Sequence, residues 1–150
     1  MDISRMVARL ARLGDARILF EWRNDPVTRQ ASLSTDEIKF ENHLCWLKKS
    51  LQNPARRIYI SSIGTQNVGS VRIDRSSCSW NLSWTVAPNW RGKGVGKIMV
   101  SNVVKSLSLP VTAEIRVNNI PSIKIAEAAG LQLVQEIDGI RHYASGDGGS

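Results

Sequence analysis

The sequence is poor in the residues that build metal sites and disulfide-stabilised scaffolds. It contains two cysteines, Cys45 and Cys78, and two histidines, His43 and His142. None of the four lies in a spacing typical of metal ligands, and two cysteines are too few for a disulfide framework. We therefore expect two free thiols and no bound metal.

Long apolar runs, repeats and interdomain linkers are also missing. No run reaches the roughly 18 apolar residues of a membrane-spanning helix, and the N-terminus lacks the apolar stretch of a signal peptide. These absences predict a cytoplasmic protein with no membrane partner. The length of 150 residues predicts a single domain over residues 1–144, followed by a flexible Gly- and Ser-rich tail over 145–150.

The charge balance is basic, with a formal net charge of +7. A positive surface suits a polyanionic ligand such as nucleic acid, coenzyme A or a nucleotide-linked substrate. The basic residues are scattered and are not interleaved with aromatic stacking positions, so a nucleic-acid partner is disfavoured.

Hydrophobic periodicity predicts an α/β fold in which a mixed sheet carries helices on both faces. An Asp15 cap precedes a helix over residues 16–22, which Asp25-Pro26 stops. A capping box at residues 34–37 predicts the start of a second helix. The remaining predicted helices cover 94–107 and 120–129, and the predicted strands cover 4–10, 57–62, 67–74, 80–86, 111–117, 131–137 and 140–144.

The strongest motif is the glycine-rich run Arg91-Gly92-Lys93-Gly94-Val95-Gly96, between a strand and a helix. Successive glycines allow backbone N–H groups to converge, and the helix N-terminus adds partial positive charge. This combination is typical of a pyrophosphate site. The run fits neither the GxxxxGK[ST] nor the GxGxxG pattern.

An Arg-x-x-Gly-x-Gly loop after a strand ending in Val86-x-Pro88 resembles the acetyl-CoA loop of the GNAT superfamily. The resemblance continues into residues 117–131, similar to the family's Asn-x-x-Ala/Ser segment. Residues 22–26 and 43–47 resemble the branch with ribosomal-protein and nucleotide-linked amino-sugar acetyltransferases. The resemblance to the GNAT superfamily implies a mostly antiparallel sheet with a splayed central strand pair. It also implies that acetyl-CoA is the acyl donor.

The resemblance also implies a set of cofactor-binding residues. Loop amides would hold the pyrophosphate, the end of the 80–86 strand would pair with the pantetheine arm like an added strand, and Asn119 and Ser122 would lie near the arm and the thiol. The implied residues are Trp84, Thr85, Val86, Arg91, Gly92, Lys93, Gly94, Val95, Gly96, Lys97, Asn119 and Ser122.

One departure from the family concerns the general acid. Many members place a tyrosine four residues after the Ala/Ser position, and this chain has Ala126 there. Because Ser122 and position 126 are one helical turn apart, both are expected to face the thiol. A thiolate is a fair leaving group, so Ser122 or a water molecule remains open as the acid. Leu131 replaces the usual phenylalanine, which we interpret as a core change.

The expected reaction is direct attack of an amine on the thioester. An amide on the cofactor strand would stabilise the oxyanion, and a base must accept the amine proton. The candidate bases are His43, Glu114, Glu21 and Asp74. Glu114 is expected on a central strand, where its carboxylate could equally be buried or point to a surface. Trp22, Arg23, Asn24 and His43 are the candidate acceptor-binding residues.

Three functions remain open at this point. The first is acetylation of the amine of a small molecule, foremost a nucleotide-linked amino sugar, and the second is acetylation of a protein N-terminus. The third is a basic nucleic-acid-binding or regulatory module that has lost catalysis. The acceptor, the base and the oligomeric state, including a homodimer, are not determined by the sequence.

Overall fold

The computed structural model describes residues 2–146. This part of the chain forms one seven-stranded sheet and five α-helices, in addition to short 3-10 turns. In chain order the elements are β1 (Val7–Leu10), α1 (Ala16–Asn24), α2 (Pro26–Ala31), α3 (Phe40–Gln52), β2 (Arg56–Ile63), β3 (Gln66–Arg75), β4 (Trp80–Val86), α4 (Val95–Ser106), β5 (Val111–Arg116), α5 (Ile120–Ala128), β6 (Leu131–Ile137) and β7 (Ile140–Ser145).

The sheet order is β1-β2-β3-β4-β5-β7-β6, and every pair is antiparallel except β4 with β5. These two strands pair only from Trp80 opposite Val111 to Leu82 opposite Ala113. Beyond that point β4 continues to Val86 without β5 beside it. The predicted mixed, mostly antiparallel sheet with a splayed central pair is therefore confirmed.

The two faces of the sheet carry separate cores, because alternate residues of each strand point to opposite faces. On one face α4 and α5 cover a core that includes Val71, Leu82 and Val100. On the other face α1 and α3 cover Ile58 and Ile60. Helices therefore lie on both faces, as the sequence predicts.

The capping box at residues 34–37 does not start a helix. Helix α3 begins at Phe40, and residues 32–39 have no regular structure. The backbone of this segment instead bonds to side chains: the Ser34 carbonyl accepts from Arg23 at 3.1 Å, and the Asn24 amide group pairs with both backbone groups of Ile38. Tertiary hydrogen bonds thus replace the local cap, and the predicted helix start is wrong.

Asp25-Pro26 ends α1 as predicted, but it also begins the unpredicted helix α2. Pro26 occupies the first helical position, where a missing N–H costs nothing, and the Asp25 carboxylate accepts from the Thr28 amide at 3.1 Å. Asp15 precedes α1 without capping it, since its carboxylate accepts from Arg9 and from the Arg12 amide.

The two ends of the fold also differ from the prediction. The first strand covers only Val7–Leu10, because Ile3–Arg5 forms a 3-10 turn. Strand β7 continues through Ser145, whose hydroxyl accepts from the Val111 amide at 3.0 Å. The ordered fold therefore passes the predicted boundary at residue 144, and residues 147–150 of the predicted tail lie outside the described residues.

Candidate active site

A cavity of about 1110 Å³ opens where β4 and β5 separate. Its wall combines the end of β4, the glycine-rich loop, the start of α5, and the α1–α2 region with the segment over residues 32–39. The divergence of the two central strands places the cavity at the middle of the sheet. Residues far apart in the sequence therefore meet around one space.

Glycine is required in the loop for two different structural reasons. Gly92 and Gly94 have φ values of 74° and 81°, in the left-handed region that favours glycine. Gly96 lies inside α4, where a Cβ atom would collide with the Ile125 side chain and come within 3.1 Å of Val86. Gly94 directly precedes α4, so the free amides of the first helical turn face the region that the motif assigns to a pyrophosphate.

The Arg91 side chain reaches the start of α2. Its Nη2 lies 2.6 Å from the Asp25 carboxylate and 2.9 Å from the Thr28 hydroxyl. Burial by itself raises the pKa of Asp25, but the hydrogen bonds from Arg91 and Thr28 outweigh it, so the pKa lies below its usual value. The side chain thus forms an intramolecular ion pair, and the loop amides remain the groups available to a phosphate.

Most of the predicted cofactor-binding residues line this cavity. The exception is Lys93, which is exposed and whose ammonium lies 5.4 Å from the centre of the Trp90 ring. Predicted residues in the cavity wall are Trp84, Thr85, Val86, Arg91, Gly92, Gly94, Val95, Gly96, Lys97, Asn119 and Ser122. The side-chain Oδ1 of Asn119 caps α5 by accepting from the Ser122 amide at 3.3 Å.

Ala126 does not line the cavity. Its side chain is fully buried in the core shared by α4 and α5. At the start of α5 the wall includes Ser122 and Ile125, together with Ile120, Pro121 and Lys124. The expectation that Ser122 and position 126 face the same space is therefore wrong for the alanine, although the turn containing Ser122 lies where it was predicted.

Of the predicted acceptor-side residues, Trp22, Arg23 and His43 line the cavity, whereas Asn24 does not. Trp22 is buried in the α1–α3 core and reaches the wall, and Asn24 holds Ile38. Arg23 donates one Nη2 bond to Ser34, and its buried Nη1 has no partner in the described structure. A buried guanidinium nitrogen of this kind is available to an acceptor with an anionic group.

His43 is buried on the cavity wall between two aromatic rings. Its ring centroid lies 5.8 Å from that of Phe20 and 5.5 Å from that of Trp46, and its Nε2 has no partner within the described residues. Burial, followed by the positive charge of Arg23, lowers the pKa of His43 below its ordinary value. The ring is therefore neutral at pH 7.

Of the four candidate bases, the structure brings two into the cavity. Glu114 lies on β5 directly after Ala113, where pairing with β4 stops, and of the two alternatives left open by the sequence it is the exposed one, with its side chain in the cavity wall. His43 is the second. Glu21 is exposed outside the wall, and Asp74 lies within 3.1 Å of Arg72 and is ion-paired with Arg56.

Arg72 is the main wall residue that the sequence analysis missed. It lies on β3 between the core residues Val71 and Ile73, so it points to the opposite face, toward Trp46. Burial lowers the pKa of Arg72, while Asp74 opposes that shift. The alternation of side chains along β3 could have predicted the position of Arg72, because it places this arginine on the α1–α3 face of a central strand.

The buried His43 predicts a stability change in mildly acidic solution. Because its folded pKa is below the unfolded value of about 6.5, the unfolded chain binds the proton first as the pH falls. The free energy of unfolding should therefore decrease between pH 7.5 and 5.5. Urea unfolding at both pH values measures this decrease, and His43→Gln should reduce it. An equal pH dependence in the two proteins would show that His43 does not cause it.

A family model supports the assignment that this geometry suggests. The model described as acetyltransferase (GNAT) domain matches residues 5–132. The chain belongs to the GNAT acetyltransferase family. The splayed strands are the fold feature that the sequence resemblance implied, and the cofactor-binding role of the loop over residues 91–96 stays a prediction.

Individual relatives agree with this family. The chain is 33% identical to acetyltransferase PseH from Campylobacter jejuni over 94 residues, which cover 61% of this chain and 57% of that protein. Spermidine N-acetyltransferase from Vibrio cholerae, solved with CoA and spermine, superposes with a TM-score of 0.84 at 16% identity, covering 94% of this chain and 95% of that one. Ribosomal-protein-alanine N-acetyltransferase from Brucella melitensis superposes with a TM-score of 0.78 at 21% identity. This superposition covers 93% of this chain and 98% of that one.

The described residues contain neither a membrane-spanning helix nor a cluster of metal ligands. Within residues 2–146 no helix is long and apolar enough to cross a membrane. The same residues contain no group of three or more histidine, cysteine, aspartate or glutamate side chains placed to hold a metal ion.

Proposed function

We propose that this protein is an acetyl-CoA-dependent N-acetyltransferase that acts on the primary amine of a small, phosphate-bearing molecule, foremost a nucleotide-linked amino sugar. The observation that carries the proposal is the cavity itself. It joins a glycine-rich helix N-terminus, suited to a pyrophosphate, to the gap between β4 and β5. Acetyl-CoA supplies the activated acyl group, and the protein positions and deprotonates the amine.

The cofactor is assigned to the loop side of the cavity. The amides at the start of α4 suit the pyrophosphate. The end of β4 pairs with β3 on one side but not with β5 on the other, and this free edge offers backbone groups to the pantetheine amides. Attack of the amine forms a C–N bond and breaks the thioester C–S bond, so CoA leaves as a thiolate. An N–H of β4 stabilises the developing oxyanion, and Ser122 or water can protonate the thiolate.

The acceptor is assigned to the opposite end, and the charge of the wall supports an anion there. Arg23 and Arg72 line this side, whereas Glu114 is the one acidic side chain among the lining residues that the structure describes. The unpaired Arg23 Nη1 and the buried His43 Nε2 can both donate to a phosphate oxygen. A polycationic amine would meet the two positively charged guanidinium groups of Arg23 and Arg72, so this wall disfavours a polyamine.

We assign the role of general base to Glu114. It lies where β4 and β5 separate, in the gap to which the thioester is assigned, and its side chain is exposed in the cavity wall. His43 lies on α3 and is packed between aromatic rings, which suits acceptor binding. His43 remains the alternative base, and the two assignments predict different variant kinetics.

Turnover of acetyl-CoA, measured as free thiol, tests the proposal against a panel of amines. A UDP-linked amino sugar should give a kcat/KM at least about tenfold above that of the free amino sugar, since one charge-assisted hydrogen bond contributes roughly 1.5–3 kcal/mol. Arg23→Gln should remove this preference, whereas Arg57→Gln, outside the cavity wall, should keep it. Preference for spermidine or for an N-terminal alanine peptide would contradict the proposed acceptor, and failure to bind acetyl-CoA would contradict the activity.

A further inference from the structure

The glycine-rich loop is tied to the acceptor side of the cavity by an ion pair. Arg91 belongs to the loop and Asp25 begins α2, and the two side chains meet at 2.6 Å. Thr28, in the first turn of α2, accepts a second bond from Arg91 at 2.9 Å. The pair is mostly shielded, with side-chain exposures of 32% and 20%. A shielded ion pair that is supported by a second hydrogen bond to a neighbouring residue fixes geometry better than an exposed pair.

Helix α2 continues into a wall segment that has no internal hydrogen-bond ladder. We define the acceptor wall as residues 26–39, which include α2 and the irregular stretch after it. Three arginines donate hydrogen bonds to backbone carbonyl oxygens of the acceptor wall. Two of them lie outside it: Arg116 binds Ser32 and Leu33, and Arg23 binds Ser34. The third, Arg29, belongs to the wall and binds Thr35. The position of the acceptor wall therefore depends on side-chain anchors. The anchor from the cofactor loop is Arg91, which bonds to Thr28 in the wall and to Asp25 directly before it.

We propose that the Arg91–Asp25 ion pair couples the cofactor loop to the acceptor wall, so that bound CoA fixes the wall against which the amine is presented. In this proposal, which rests on the proposed function, Asp25 and the Arg91 side chain are positioning residues. A pyrophosphate on the loop amides restricts the backbone of residue 91, and the ion pair transmits this restriction to the first turn of α2. Such coupling between two sites is reciprocal, so an ordered wall also favours CoA binding.

Hydrogen–deuterium exchange of residues 26–39, with and without saturating CoA, tests the coupling directly. In the parent protein CoA should slow exchange in this segment by about tenfold, within the range of roughly 5- to 150-fold typical of coupled sites. In Asp25→Asn the effect should fall below about twofold. The asparagine can still accept from the Thr28 amide, so the start of α2 is preserved while the ionic bond is lost.

A matched control separates this coupling from the general loss of an ion pair. Asp15 accepts two bonds of 2.8 Å from Arg9, and neither residue lines the cavity. Asp15→Asn should therefore keep the full effect of CoA on residues 26–39. Arg91→Gln retains the loop amides and should lose the effect of CoA on exchange in residues 26–39, while Arg91→Lys should recover part of that effect. These two variants test the coupling if Asp25→Asn does not fold.

Calorimetric titration of CoA into the same samples distinguishes failure of the coupling from failure of the proposed function. If the parent binds CoA but exchange in residues 26–39 does not change, the coupling is wrong and the proposed function stands. The coupling is equally overturned if Asp25→Asn or Arg91→Gln shows the parental effect. If the parent does not bind CoA, the proposed function itself fails, and the coupling fails with it.

Discussion

Replacing Gly94 with valine should lower the affinity for acetyl-CoA at least about tenfold. The residue has a φ of 81°, which a β-branched side chain rarely adopts, and it directly precedes α4. Relief of the strain would turn the first free amides of the helix away from the pyrophosphate. Loss of one hydrogen bond to a charged group costs roughly 1.5–3 kcal/mol, which sets the size of the effect. Titration calorimetry with acetyl-CoA measures it.

Gly139 provides the matched control for backbone strain. It has a φ of 79° in the turn between β6 and β7, a Cβ atom at that position would meet open space, and the residue is not part of the cavity wall. Gly139→Val should therefore destabilise the fold while leaving the affinity for acetyl-CoA unchanged. A folded Gly94→Val protein with parental affinity would show that the pyrophosphate is bound elsewhere.

Replacing Glu114 with glutamine should lower kcat by about a hundredfold, in the range expected for loss of a general base. The substitution keeps the shape of a side chain that already faces the cavity, so the affinity for acetyl-CoA should not change. Because the base removes a proton from the attacking ammonium, the deficit should shrink as the pH approaches the pKa of the amine. Steady-state rates across pH test both expectations.

Two further variants make the assignment of the base decisive. Glu21→Gln changes an exposed carboxylate outside the cavity wall and should leave kcat unchanged. If His43→Gln causes the large loss of kcat and the same recovery at high pH, while Glu114→Gln does not, the base is His43. His43→Gln is otherwise expected to raise KM for the acceptor more than it lowers kcat.

The cofactor half of the site was predictable because its signals are local. The alternation of β4, the glycines at positions 92 and 94, and the following helix are consecutive in sequence, and the bounds of β4 agree with the prediction. Gly64 and Gly139 similarly marked the turns between neighbouring strands. In each case the required backbone conformation can be read from one to six adjacent residues.

The acceptor half was less predictable because its contacts cross long stretches of chain. The capping box at residues 34–37 has the right residues, yet Arg23 and Asn24 hold that segment in an irregular conformation. Arg91 has the family's loop position, yet its side chain bonds to Asp25, which no local pattern indicates. Side-chain bonds to a backbone segment depend on which elements the sheet brings together.

By itself the sequence determined the family resemblance, the order of the strands along the chain and the loop suited to a pyrophosphate, since these depend on periodicity and on glycine conformation. Only the tertiary structure decided that Glu114 is exposed to the cavity, that Ala126 is in the core, and that Arg72 lies in the wall. The physical reason is that side-chain direction and burial are set by strand pairing and helix packing. The separation of β4 from β5 after Leu82 creates the cavity, and no single segment of the chain specifies it.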